Sequence, residues 1–554
     1  MKNCKHCQSS FEITPSDERI YAKMNVPSPT LCPDCRQQRR IAFRNDSNFY
    51  KNNCSLCKKS LVSIYSPDPP AGLAGKNIPV LCSGCFWSDK WDPLSYGQDF
   101  DFNHSFFEQY AEMRAKVPRL AIFNTQSENS EFTVHSSKNH NCYMGSSIVN
   151  SEDTHYSDWA FNCRDCMDLL FCNRLEMCYQ CFASQDCFHS NYLELCSNVT
   201  ESFFAFDCRG SKRLVGCVSL RNRKNHILNQ PASKEECFSV IKRLKTDRTF
   251  FLEFKKQFEA LKAGMSKRDT WMINSENCTG DYIVNSKNAQ FAFAVEDAED
   301  ARYLYESEKI KDAYDVTRVG QGEMLYEVTA GVDLKFAKFC NLTYHSDNMA
   351  YCDNCQNSST CFGCVGLKNH QYCFLNKQYT KEEYVQLIPK VIEYMKSTGE
   401  YGEFFPFSFS PFGYNETKAQ EFFPMTRDQV LARGWTWCDY ELSASPALKQ
   451  IPAQRIPDNI SGVPDDILHW AVTCEVTGKP FKITPQELKF YRLKGLPIPH
   501  RCPRQRHLER TALQNPRHLY SRQCAKCQSA IQTTYAPDRP EKVLCGECYL
   551  SEVY

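Results

Sequence analysis

The chain has 554 residues, 42% of them apolar and 24% charged, values too apolar for wholesale disorder. No apolar run reaches the roughly eighteen residues that a spanning helix needs. Thirty-three cysteines accompany a net charge of only +1. A cysteine motif begins at Cys4 and leaves no room for a signal peptide, so a cytoplasmic setting is expected, with metal binding ahead of disulfides.

The small net charge hides an asymmetry. Residues 1–85 hold 12 Lys+Arg against 6 Asp+Glu, residues 474–554 hold 14 against 7, and the stretch between is acidic. A polyanion site is therefore expected at the ends.

Residues 1–53 and 54–92 each read as a zinc ribbon. The first holds Cys4-x2-Cys7 and Cys32-x2-Cys35, the second Cys54-x2-Cys57 and Cys82-x2-Cys85, with 24 residues between the pairs in both. Two such hairpins can surround one Zn²⁺ with four thiolates. Thr14-Pro15 followed by Glu18 predicts a helix start, with a capping hydroxyl, proline in the first turn and an acid near the dipole's positive end. After Cys35 a second helix is predicted, with Arg36, Arg40 and Arg44 on one face. Arginine forks suit phosphates, and Phe43, Phe49, Tyr50 and Tyr520 could stack on bases. The competing reading is a solvated basic face, or one that meets an acidic protein.

Residues 93–126 are expected to form a helical connector, with a helix over 104–117. Residues 127–232 and 275–379 then repeat each other: Ser127-Glu128-Asn129 matches Ser275-Glu276-Asn277, and Leu228-Asn229 matches Leu375-Asn376. Inside each copy large apolar residues recur at a spacing near twelve, as Tyr143, Tyr156, Met167, Tyr179, Tyr192 and Phe204, and as Phe291, Tyr303, Tyr314, Tyr326, Phe339 and Tyr351. Asp153, Asp165, Asn288 and Asp300 supply corner residues that tolerate a left-handed backbone. Short strands, tight corners and a stacked interior ladder of these apolar residues describe a β-solenoid. The many cysteines in these copies read first as small fillers of a narrow interior. The best alternative metal set is Cys352, Cys355, Cys361 and Cys364, with the pairs Cys163/Cys166 and Cys178/Cys181 behind it.

Residues 233–274 are expected to cap the first copy with helices. Residues 380–440 should add a helix and an aromatic packing segment, and 441–470 a linker. Residues 471–523 repeat the first ribbon at an offset of 470, with Cys474 on Cys4 and Cys502 on Cys32, but Thr477 and Gln505 stand where Cys7 and Cys35 would. This third ribbon is degenerate, with His500 or His507 as substitute ligands at best. Residues 524–554 complete a fourth, with Cys524, Cys527, Cys545 and Cys548. Three zinc ions are expected. The expected fold is mainly β: two tandem β-solenoid (β-helix-like) modules with capping helices, flanked by tandem zinc ribbons at both ends.

The N-terminal pattern Cys-x2-Cys, Phe-x-Ile-Thr-Pro and Cys-Pro-x-Cys-Arg, kept at the C-terminal end without two of its four cysteines, resembles the zinc-ribbon domain family. The overall layout is similar to uncharacterised bacterial zinc-ribbon proteins with a repetitive Cys-rich middle. The resemblance implies zinc and assigns no activity.

The expected function is that of a non-enzymatic zinc protein that binds nucleic acid, RNA or a ribonucleoprotein favoured. Arg36, Arg40, Arg44, Arg506, Arg510 and Arg517 would hold the phosphates. The alternative is a protein-interaction scaffold. An enzyme built on the solenoid ranks third, because no catalytic constellation stands out. No membrane partner is expected.

Overall fold

The computed structural model describes residues 1–68, 78–323, 325–335, 337–440 and 449–554. These are strand-rich, with twelve α-helices and two large mixed sheets, one of thirteen strands and one of nine. The chain divides into two compact units. The first joins Met1–Ile122 to Trp271–Tyr440, and the second joins Phe123–Thr270 to Glu441–Tyr554. In each, the cysteine modules come from one end of the chain and the strand stack from a distant segment.

In the second unit the strands from Asn124–Thr125 to Lys224–Ile227 are stacked in parallel. Each residue sits opposite the one twelve later: Ser146 with Asp158, Asp158 with Leu170, Met167 with Tyr179, Phe203 with Val215. Bridges between strands keep this offset, as in Asn173 with Gln185 and Ser197 with Arg209. The backbone explains the period. Every third residue is left-handed through Asn150, Asp153, Tyr156, Trp159, Asn162, Asp165 and Asp168, with φ from 45° to 60°. Each bends the strand, so a twelve-residue rung turns four corners. A left-handed non-glycine residue costs about 1–2 kcal/mol, and hydrogen bonds between rungs offset it. The corner N–H of Tyr156 donates to the Tyr143 carbonyl (2.9 Å), and those of Asn162 and Arg174 donate to Val149 (3.0 Å) and Phe161 (2.9 Å).

The inner row falls on the residue after each corner. It includes Ala160, Cys163, Cys166, Leu169, Cys172 and Leu175, all 2% exposed or less. Such positions take small residues whose polar atoms the ladder itself can satisfy. Ser190 Oγ donates to the Phe188 carbonyl (2.9 Å) and accepts the Ser202 N–H (3.1 Å). Cysteine is held in the same place, with Cys196 Sγ against the carbonyls of Glu194 (3.3 Å) and Ala205 (3.4 Å).

The aromatic columns therefore do not form the inner ladder expected from sequence. They lie on the outer face of the stack. Phe203 and Phe204 pack beneath the helices Lys234–Thr246 and Arg248–Gly264, Tyr179 packs against Phe490 and Tyr491, and the Tyr156 hydroxyl donates to Glu487 (2.9 Å). Phe204 meets Phe251 and Phe258 with ring centroids 5.3 and 5.4 Å apart. The uneven spacing in sequence arises because rings alternate between a corner residue (Tyr156, Tyr192, Phe204) and the residue before one (Tyr143, Tyr179, Phe203).

The first unit repeats this plan. Its stack runs from Met272–Ile273 to Cys373–Phe374, with Leu304 opposite Val316 and Met349 opposite Cys361. Ala289, Ala292, Val295 and Leu304 fill the inner row first, then Cys340, Cys352, Cys361 and Cys364. Outside, Phe106 and Tyr110 of the helix Phe106–Arg114 pack on Tyr351 and Phe405. Capping boxes form at Ser233 and Thr380, with Glu236 and Glu383 reaching back.

Residues 69–77 of the second ribbon and 441–448 of the expected linker lie outside the described residues. From Lys449 the segment is structured: Lys449–Pro452 pairs in parallel with Trp470–Thr473, and Ile456, Ile460 and Val463 are buried.

Candidate metal centres and the arginine anchors

Each complete cysteine quartet is assembled by two local devices. The first pair sits on a hairpin, such as Lys2–Asn3 with Ser10–Phe11. The second pair opens a helix, with Cys32, Cys82 or Cys545 as its N-cap. Capping leaves the cysteine N–H outside the helix ladder, where it donates to a sulfur: Cys32 to Cys4 Sγ (3.2 Å), Cys82 to Cys54 Sγ (3.4 Å), Cys545 to Cys524 Sγ (3.3 Å).

Three Cys4 groups result: Cys4, Cys7, Cys32 and Cys35; Cys54, Cys57, Cys82 and Cys85; Cys524, Cys527, Cys545 and Cys548. In each, all four sulfurs lie within 4.8 Å of one another, so each could hold a metal ion. The Cys7–Cys32, Cys57–Cys82 and Cys527–Cys545 sulfurs are 3.7, 3.9 and 3.8 Å apart. A tetrahedral site with metal–sulfur bonds of about 2.3 Å needs sulfur–sulfur edges of about 3.8 Å. Burial pushes the Cys54 and Cys524 thiols up, but backbone N–H groups outweigh it and bring each down to about 6. Within the second group, burial and the neighbouring sulfurs push Cys85 up to about 12. Four thiols this close cannot all ionise without a cation among them.

The third module keeps the hairpin and the two helices of the first and loses the ligands. Cys502 N–H still donates to Cys474 Sγ (3.4 Å). Gln505, on the Cys35 position, donates to Glu509 (2.8 Å). His500 Nδ1 lies 3.4 Å from Glu475, which also receives Arg248 (2.7 Å) and Arg501 (2.9 Å). Among the described residues no group able to hold a metal forms around Cys474 and Cys502. Nor do Cys352, Cys355, Cys361 and Cys364 form one. They occupy the inner row, each thiol 3.3–3.5 Å from the carbonyl two residues before it. The pairs Cys163/Cys166 and Cys178/Cys181 lie in the inner row of the second unit.

The arginine row expected to meet phosphate is turned inward, and this corrects the site assignment. Arg36, Arg40, Arg44, Arg506 and Arg510 are all 2% exposed or less. Arg36 Nε meets Asp315 at 2.9 Å, with Arg40 at 3.5 Å from the same carboxylate. The copy is faithful: Arg506 Nε meets Asp168 at 2.7 Å and Arg510 at 3.1 Å. Arg36 lies over the Tyr303 ring (5.1 Å) and Arg506 over Tyr156 (5.3 Å). Arg36 also donates to the Leu31 carbonyl, and Arg506 to the Arg501 carbonyl. Arg44 pairs with Asp46 at 3.1 Å. Burial penalises the Arg36 and Arg506 cations, but the facing carboxylates outweigh this and hold both well above the ordinary arginine range. Arg517 alone among the six remains half-buried. Arg36, Arg40, Arg506 and Arg510 are anchors that fasten each ribbon to its stack. Asp168 and Asp315, the stack side of the anchor, stand at matching positions in the two copies, 147 apart. In the sequence, that match between the two copies is what marks the acidic half of the anchor.

The chain matches no family model, no curated protein and no solved structure. The zinc-ribbon likeness therefore stands on the three Cys4 groups. Among the described residues no helix is long and apolar enough to cross a membrane.

Proposed function

We propose that this chain is a non-enzymatic, zinc-clamped β-solenoid scaffold that presents rigid faces to protein partners. The duplicated anchor carries the reading. Five of the six arginines that would serve a polyanion are spent inside the protein on Asp168, Asp315 and Asp46. Borderline-soft Zn²⁺ suits an all-thiolate tetrahedron with edges near 3.8 Å, and the Cys4 groups would hold it as closed, structural sites. Twelve-residue rungs with four corners, closing on themselves, would form each solenoid coil. A basic surface at Arg504 and Arg517 favours nucleic acid as the second reading.

Two measurements test the proposal. Elemental analysis of the purified chain should find three zinc ions, and removing them with a chelator should loosen the ribbons while the strand signal in circular dichroism persists. Titration with single- and double-stranded RNA and DNA at several salt concentrations should show no steep salt-dependent binding. Binding whose logarithm falls steeply with salt would return the function to nucleic acid.

A further inference from the structure

The duplication supplies an internal control, because the two anchored ribbons can be compared residue by residue. In the first unit the helix Pro33–Ile41 is enclosed, with Cys35, Arg36, Gln37, Gln38, Arg39, Arg40 and Ile41 all buried. In its copy Pro503–Thr511 only Arg506 and Arg510 are buried. The difference is the aromatic segment of the first unit, which lies over the ribbon's outer face. His6 packs tilted against the stacked Phe407–Trp435 pair, its ring centroid 5.5 Å from Phe407 and 5.2 Å from Trp435. Gln38 donates to the Tyr414 hydroxyl (2.7 Å), and Phe43 packs edge-on against Phe404 (5.1 Å). Glu403 adds charge, accepting Arg39 (2.9 Å) and the Thr30 N–H (2.8 Å).

At the offset of 470 these three covered positions become Val476, Leu508 and Leu513. In the second unit they are 54%, 38% and 38% exposed. The change runs against what water favours: His6 and Gln38, polar and covered, become Val476 and Leu508, apolar and exposed. A matched set of three exposed apolar side chains on one ribbon face marks a contact surface more than a solvated one. An exposed arginine borders it. Of the six arginines in residues 501–522, Arg506 and Arg510 are buried on Asp168 and Arg501 pairs with Glu475 and Glu509, while the exposed Arg504 lies one turn from Leu508 on the same helix.

We infer that this face of the third ribbon is a docking site for an acidic, aromatic-rich segment of a partner protein. That segment would lie where residues 401–437 lie in the first unit. Aromatic side chains would cover Val476, Leu508 and Leu513, and carboxylates would meet Arg504 as Glu403 meets Arg39. Loss of the metal ligands at Thr477 and Gln505 fits a ribbon that has changed from clamp to receptor. The inference rests on the scaffold reading and names one partner class for it.

The test is a peptide display selection against the full zinc-loaded chain. Selected peptides should carry two or more aromatics and a net negative charge, and should bind at least ten-fold more weakly to the Leu508→Asp, Leu513→Asp double variant. Arg504→Glu should weaken them several-fold, with less effect at high salt. Both substitutions are at exposed positions, and an unchanged thermal melt and zinc content establish that the variants fold. Peptides that bind the double variant as well as the parent overturn this face while leaving the scaffold reading standing. A selection that enriches no peptide overturns both. Single-stranded RNA that binds the parent and not the double variant assigns the face to nucleic acid and overturns the inference.

Discussion

At the scale of single residues, the anchor pair decides what the basic ends are for. Arg506 and Asp168 have side chains 1% and 0% exposed. Removing one partner of such a pair leaves an uncompensated buried charge and costs about 3–5 kcal/mol, whereas replacing both with apolar residues costs far less. Asp168→Asn should therefore sharply raise hydrogen exchange around residues 156–179, Asp315→Asn should do the same around residues 303–326, and Asp168→Leu combined with Arg506→Met and Arg510→Met, which removes both cations that share the carboxylate, should restore much of the lost protection. An unprotected wild-type anchor, or single variants with parental exchange, would contradict the buried-anchor geometry. A second residue of this neighbourhood sets acid sensitivity. Burial lowers His155 from its ordinary 6.5 to about 4, against a smaller upward pull from Asp168. The folded state keeps the ring neutral while the unfolded chain protonates it, so stability present above pH 6.5 is lost as pH falls from 6.5 towards 4. At pH 5 the loss is about 2 kcal/mol. Met167 occupies the same column one rung on, so His155→Met should flatten the acid slope of the urea midpoint of the second unit.

At the scale of elements, the stack rests on a period of three nested in a period of twelve. The twelve was legible in sequence because large rings recur near that spacing. The three was not, because its inner row mixes Cys, Ser, Ala, Thr, Leu and Val, residues that lack a ring but share no hydropathy. Its corners carry Tyr156, Trp159, Phe171 and Tyr192 as readily as Asn and Asp, so the usual turn residues do not mark them. Ring spacing alone therefore points inward, although the inner rows hold no ring. The ribbons were legible for the opposite reason: CxxC spacing fixes sulfur geometry locally, and all three complete quartets assemble as read. What spacing could not convey was the direction of the arginine face, since that depends on carboxylates roughly 280 to 340 positions away, as Arg36 with Asp315 and Arg506 with Asp168 show. The inner row makes its own prediction. Cys196→Ser should cost less than about 1 kcal/mol, because the hydroxyl inherits the Glu194 carbonyl as Ser190 uses that of Phe188. Cys196→Phe should cost about 3 kcal/mol or abolish folding of the second unit, because the row has no room for a ring. Equal destabilisation by both, read from denaturant midpoints, would mean that the thiol has a role beyond filling.

At the scale of the whole molecule, chain order and packing order are crossed. The ribbons of residues 1–92 pack on the later stack, and those of 471–554 on the earlier one. The crossing predicts the behaviour of a chain split between Thr270 and Trp271. The N-terminal fragment would hold two ribbons without their stack and a stack without its ribbons, and the C-terminal fragment the same mismatch. In each, an outer aromatic face would be stripped of cover: Tyr179 loses Tyr491, and Tyr326 loses Tyr21. The buried carboxylates Asp168 and Asp315 would lose their arginines. Fully burying one large apolar side chain is worth roughly 1.5–3 kcal/mol, and each fragment forfeits several such side chains as well as an ion-pair partner, more than the usual margin of stability. Separately produced fragments should therefore melt broadly or aggregate, and co-produced fragments should co-purify one to one and recover a cooperative melt. A fragment that folds cooperatively alone would show that its stack stands without its ribbon, and that the anchors orient the ribbon and do not hold the unit together.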